Sequence, residues 1–273
     1  MSLDLDATFG TTSPVVGMVH LPPLPGSPEY DPDGGREAVL ERARTDARAL
    51  ADGGVDGLIV ENYGDAPFHA EDVPHHVVAG MTRAATAVTE TVDCPVGINV
   101  LRNDATAALS VAAAVDAAFV RVNVHTGARV TDQGLVEGRA AETMRLRERI
   151  DADVAVLADV AVKHSAPLGE RDLGAAVADA IGRGRADGLV VSGPATGSVT
   201  DADDLRTVAA ARDDTDPDVP VFVGSGVTAD SVAELLSVAD GAIVGTALKE
   251  DGETTNPVDP ERVAALVAAR DEG

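Results

Sequence analysis

Four short apolar runs in this chain open through the same kind of turn: VDGLIV at 55–60, VDAAFV at 115–120, ADGLVV at 186–191 and ADGAIV at 239–244. Between them lie VDCPVGI at 92–98, DADVAVL at 151–157 and DPDVPVFV at 216–223, which open differently, and VVGMVH at 15–20 heads the series. Short, continuous, β-branched runs suit parallel strands buried on both faces. Helical patterns separate them, over Arg36–Asp52 and at about 74–91, 104–114, 138–150, 172–184, 201–213 and 228–237, with a last one at about 260–270. Eight strands alternating with eight helices define the α/β class, and the alternate-strand similarity favours a closed (β/α)8 TIM barrel over an open sheet. The GxGxxG that a dinucleotide-binding open sheet carries after its first strand is missing. A length of 273 residues is ordinary for one such barrel, and no break in composition divides residues 1–273 into more than a single domain.

Composition narrows the partners. The formal net charge is −25, spread along the chain, and the only lysines are Lys163 and Lys249. Dispersed carboxylates with few lysines suit a salt-rich cytoplasm, where ions screen the self-repulsion. No basic stripe is available to neutralise phosphates, so nucleic acid is not expected as a partner. Cys94 is the single cysteine, which rules out an intrachain disulfide and a cysteine-based zinc site. The first residues read as a polar lead-in without the basic and apolar regions of a signal peptide. The longest apolar candidate, Val111–Val120, carries Asp116 and is too short to span a bilayer. A soluble cytoplasmic protein is the expectation, with homo-oligomerisation an open possibility.

Active sites of (β/α)8 barrels gather at the C-terminal ends of the strands. There the sequence places His20, Glu61-Asn62, Asn99, Arg121, Asn123, Asp159 and Ser192-Gly193, with Arg102, His125, Lys163 and His164 just beyond. Barrel interiors are otherwise apolar, so such residues need partners or a ligand. Lys163 is a candidate Schiff-base nucleophile, proton shuttle or phosphate clamp, with an exposed loop lysine as the plain alternative. Asp159 is a candidate general base or an orienting group for Lys163, and His164 and His20 are candidates for acid–base work. Glu61, Asn62, Asn99, Arg121 and Asn123 are candidates for reading substrate hydroxyls. No motif demands a cofactor. A divalent metal between His20, Glu61 and Asp159 is conceivable, although no HxH or HExxH spacing supports it. Lys249 reads as an exposed helix start, and the glycine-punctuated segment 125–138 as a lid or substrate-reading loop.

The last two strands each break into small residues, Gly224-Ser225-Gly226 and Gly245-Thr246. In barrels of this kind the seventh and eighth loops commonly cradle a phosphate through backbone N–H groups. Ser192 and Gly193 are candidates to join them, and a phosphorylated small molecule is the expected ligand.

The segments GMVHLPPLPGSP (17–28), DGLIVENYGDAPF (56–68), RVNVHTGARVTDQGLVEG (121–138), DVAVKHSAPLG (159–169), SGPATG (192–197) and VGSGVT (223–228) resemble, in order and over essentially the whole chain, the BtpA/SgcQ family. The resemblance implies a TIM barrel of the ribulose-phosphate-binding type. The family is named for a cyanobacterial protein of photosystem I accumulation, and other members resemble sugar-metabolism enzymes. The expected function is therefore an enzyme acting on a phosphorylated sugar or nucleotide-like molecule, by isomerase or aldolase/lyase chemistry. The alternative is a non-catalytic biogenesis or stability factor for a membrane complex. The acidic composition resembles that of haloarchaeal proteins.

Overall fold

The structure is a computed structural model that describes residues 2–161, 164–169, 172–193 and 200–273. From the N-terminus, α1 (Leu5–Phe9) leads into β1 (Val15–His20). Then come α2 (Gly35–Asp52), β2 (Gly57–Glu61), α3 (His75–Thr89), β3 (Val96–Asn99), α4 (Ala105–Ala114) and β4 (Phe119–Val122). A hairpin of β5 (Ala128–Thr131) and β6 (Gly134–Glu137) precedes α5 (Ala140–Arg149) and β7 (Ala155–Ala161). After these come β8 (Ser165–Pro167), α6 (Leu173–Ala178, continued by a π-helical turn over Asp179–Arg183), β9 (Gly188–Val191) and α7 (Ala202–Thr215). The chain ends with β10 (Val221–Val223), α8 (Val232–Leu236), β11 (Gly241–Val244) and α9 (Pro260–Asp271).

The expected barrel closes. Its strand order is β1-β11-β10-β9-β7-β4-β3-β2, with parallel neighbours throughout. Because side chains alternate along a strand, Val15 and Val19 of β1 pack outward among the helices with Ala47, Leu50 and Met81, while Val16 and Met18 point inward. The inner layer continues with Ile59, Phe119, Leu157, Val190, Phe222 and Ile243. Two residues further along each strand, on the same face, stand His20, Glu61, Arg121, Asp159, Ser192, Gly224 and Gly245. Strand periodicity alone therefore carries the polar residues to the mouth of the barrel.

The recurring Asp-Gly turn has a physical job at the opposite end. Asp56, Asp187 and Asp240 each accept an N–H from the start of a neighbouring strand, that of Val15, Val156 and Val221, all at 2.8 Å. Each carboxylate is also paired to an arginine of a helix, Arg270, Arg147 and Arg212 respectively. The following glycine leaves room for a bulky inner side chain: a Cβ would lie 2.7 Å from Phe9 at Gly57, 2.5 Å from Leu157 at Gly188 and 2.6 Å from Phe222 at Gly241. VDAAFV does not share this arrangement, because Asp116 is exposed at φ 53° and alanine replaces the glycine.

The expected polar lead-in is in fact a plug. Asp4 caps α1 through the Ala7 N–H, Gly10 ends it at φ 71°, and Leu3 and Phe9 are buried in the inner core. The Phe9 ring meets Phe119 at 5.8 Å and Phe222 at 6.4 Å, both edge-on. Three of only four phenylalanines thus close the bottom of a core otherwise built from aliphatic residues. Two connections also differ from their sequence pattern. Segment 125–138 is an antiparallel hairpin rather than an irregular loop, and β5 pairs on its other side with β8. The seventh-unit helix is cut to Val232–Leu236, because Thr228 and Ser231 form a hydrogen-bonded turn before it.

Candidate functional site

A cavity of about 650 Å³ opens at the C-terminal ends of the strands. Of the residues expected at the site, His20, Glu61, Arg121, Asn123, His164, Gly224, Ser225, Gly226, Gly245 and Thr246 line it. Asn62, Asn99, Asp159, Ser192 and Gly193 stand behind the wall. Asn62 clamps one loop to another: its Oδ1 accepts the Leu101 N–H at 2.7 Å and its Nδ2 donates to Asp65 at 3.1 Å. Lys163 lies outside the described residues. His164 is exposed and left-handed, at φ 50°.

The centre of the mouth is a buried ion pair. The Arg121 guanidinium donates from Nε to Asp159 Oδ1 at 2.8 Å and from Nη2 to Oδ2 at 2.9 Å, with Ser192 Oγ as a third acceptor at 3.2 Å. Asn123 Nδ2 also donates to Asp159 Oδ2, at 3.2 Å. Burial alone would weaken the charge on Arg121, but the charge and hydrogen bonds of Asp159, with help from Glu61, outweigh it and raise the guanidinium above its ordinary value. Asp159 is consequently an anchor for Arg121 and Asn123. Asn99 completes the layer, donating to Arg121 O at 3.0 Å and Asn123 Oδ1 at 3.2 Å. Its own Oδ1 is buried without a partner among the described residues.

One wall carries acid–base groups. His20 Nε2 lies 3.7 Å from Glu61 Oε1, and Nδ1 lies 3.3 Å from the Thr254 carbonyl. The Tyr63 ring lies beside the imidazole, with centroids 4.8 Å apart and planes tilted by 37°. Arg102 also lines the cavity; burial lowers its pKa, opposed by Asp159, Glu61 and Asp132. Sequence reasoning passed over Tyr63 and gave Arg102 no role. The signal was present for Tyr63, which follows Glu61-Asn62 directly and is one of only two tyrosines.

The other wall is formed by the two glycine turns. Their hydroxyls are engaged within the protein: Ser225 Oγ accepts the Gly193 N–H at 2.6 Å, and Thr246 Oγ1 meets Thr254 Oγ1 at 2.8 Å. The backbone N–H groups of Ser225, Gly226, Val227, Thr246 and Ala247 have no acceptor among the described residues, and all five residues line the cavity. Glycine is required here by close approach. A Cβ on Gly224 would lie 2.6 Å from Ser192 Oγ, one on Gly245 would lie 2.9 Å from His20, and Gly226 sits at φ 70°.

One further residue departs from its sequence reading. Lys249 is fully buried and bonded to Asp46 at 3.2 Å, not exposed at a helix start. His125 is buried away from the cavity and bonded through Nε2 to the Gly184 carbonyl at 2.8 Å. Among the described residues, no group of three His, Cys, Asp or Glu is arranged to hold a metal ion, since Asp159 turns to Arg121 rather than to His20 and Glu61. No helix among them is long and apolar enough to cross a membrane.

The fold and the cavity together define a TIM barrel with a polar mouth at the strand C-termini. Tryptophan synthase from Mycobacterium tuberculosis has the same fold, with a TM-score of 0.62 at 17% identity over 100% of both chains. Residues 11–272 match the BtpA family, and the chain belongs to that family. It is 49% identical over 271 residues to the photosystem I biogenesis protein BtpA of Synechocystis, covering 99% of this chain and 92% of that one. It is 34% identical to the sgc region protein SgcQ of Escherichia coli, over 96% of each chain.

Proposed function

We propose that this protein is an enzyme acting on a phosphorylated sugar or nucleotide-like small molecule. The observation that carries this reading is the row of five backbone N–H groups, without described acceptors, at two consecutive glycine turns of the cavity wall. Backbone donors held in place by the strands beneath them favour an anion without needing lysine. In this reading the phosphate sits against residues 224–227 and 245–247, with Ser192, Gly193 and Ser225 bracing the turns from behind. Arg121 and Asn123 read substrate hydroxyls, held by Asp159 and Asn99, and Arg102 adds positive charge. His20 and Glu61 carry proton transfer on the opposite wall, with His164, and Lys163 remains a candidate nucleophile by its place in the sequence. Isomerase or aldolase/lyase chemistry fits such a set.

A ligand present at 100 times its Kd stabilises the fold by about 2.7 kcal/mol, a readable thermal shift. Matched pairs of sugars with and without a phosphate are the probe, in high salt. Stabilisation by the phosphorylated member only supports the reading; equal response, or none from any phosphosugar or nucleotide, sinks it. The second reading, a non-catalytic biogenesis or stability factor for a membrane complex, draws on the name of the Synechocystis relative. Co-purification with a membrane complex, without ligand stabilisation, is the outcome that favours it.

A further inference from the structure

We infer that His20 accepts the substrate proton through Nε2, and that a loop stapled to the outside of the barrel sets it in that role; the inference rests on the cavity being an active site. The Thr254 carbonyl and the Glu61 carboxylate can both only accept a hydrogen bond, but only Nδ1 lies within hydrogen-bonding distance of its oxygen, 3.3 Å against 3.7 Å for Nε2, so the single proton of the neutral ring is placed on Nδ1. A neutral imidazole has one such proton, which leaves the lone pair on Nε2. That nitrogen faces Glu61 Oε1 at 3.7 Å, on the wall of the cavity. Tyr63 lies beside the ring at a tilt of 37°, and Gly245 approaches so closely that a Cβ there would lie 2.9 Å from Cε1.

Thr254 is held by a chain of contacts reaching to α2. Residues 249–258 form a loop closed at its neck by an antiparallel bridge between Lys249 and Val258. Asp46 of α2 takes both sides of that neck, with Oδ2 on Lys249 Nζ at 3.2 Å and Oδ1 on the Val258 N–H at 3.0 Å. Arg42 bridges from Asp46 to the loop tip, donating to Thr255 O at 3.1 Å. The next carbonyl back along the chain, that of Thr254, faces His20, and the Thr254 hydroxyl meets Thr246 of the second glycine turn at 2.8 Å. One of the two lysines in the chain is therefore spent on positioning. In the reaction step, the bond to the substrate proton breaks with its electron pair left on the substrate. The proton goes to Nε2, and the imidazolium so formed is stabilised by the Glu61 carboxylate.

The test is the ring tautomer of His20, read by ¹⁵N–¹H correlation on the whole protein labelled at histidine, with the ring neutral at alkaline pH. His20→Asn identifies the signal by its loss. The expected result is a protonated Nδ1 and an unprotonated Nε2. The Lys249→Met variant opens the neck and Arg42→Met releases the tip; each should move the two nitrogen signals toward the average of both tautomers. Arg42 is partly exposed, so the second variant retains the fold if the first does not. A wild-type proton on Nε2 overturns the assignment of the base, and a tautomer unmoved in a folded Arg42→Met variant overturns the role of the loop. No ligand is used, so failure here is distinct from failure of the phosphosugar screen.

Discussion

Replacing Asp159 with asparagine separates two accounts of the barrel mouth. The Arg121 and Asp159 side chains are 4% and 0% exposed, and their two hydrogen bonds are 2.8 and 2.9 Å long. Removing one partner of such a pair leaves an uncompensated buried charge, at a cost of about 3–5 kcal/mol. Asparagine keeps the volume and one accepting oxygen, and Ser192 still accepts from Arg121, so the lower end, about 3 kcal/mol, applies. That is a substantial part of the roughly 5–15 kcal/mol that holds a domain together. At about 2–4 °C per kcal/mol for a chain near this size, the melting temperature should fall by about 6–12 °C. Thermal and denaturant unfolding of Asp159→Asn beside the wild type, in high salt, reads this directly. An unshifted melting temperature together with lost turnover would refute the anchoring role and return Asp159 to that of a general base.

Two other expectations concern charge. Burial lowers the pKa of His125, opposed by its bond to Gly184 and by Asp187 and reinforced by Arg147, so the folded state favours the neutral ring. Its contribution to stability is full above the unfolded value, roughly 6.5, and is lost as pH falls through the depressed folded value. His125→Gln keeps a donor for Gly184 without titrating, so its stability should decline less steeply than that of the wild type below neutral pH; parallel curves would contradict this. The net charge of −25 should make the melting temperature rise from low to molar salt, and an unchanged value would remove the basis for reading a salt-rich environment.

The chain alone determined its fold class, because alternation along a strand and the helical period are set by residues only a few positions apart. The same alternation brought His20, Glu61, Arg121 and Asp159 to one face and one end, so the roster of the mouth was legible without coordinates. What each residue does there was not. Asp159 read as a base or as an orienting group for Lys163, and nothing nearby in the sequence pointed to Arg121, 38 positions away, which meets both of its oxygens. The repeated Asp of the Asp-Gly turns was visible as a pattern, but Asp56 meets its N–H 41 residues back. Lys249 looked exposed because its partner, Asp46, lies 203 residues away on another helix. The hydroxyl oxygens of Ser225 and Thr246 meet the Gly193 N–H and the Thr254 hydroxyl, contacts that the spacing of the glycine turns does not show. A buried polar atom takes its role from whichever partner can satisfy it, and in a closed barrel that partner comes from a neighbouring strand or an outer helix, distant in sequence.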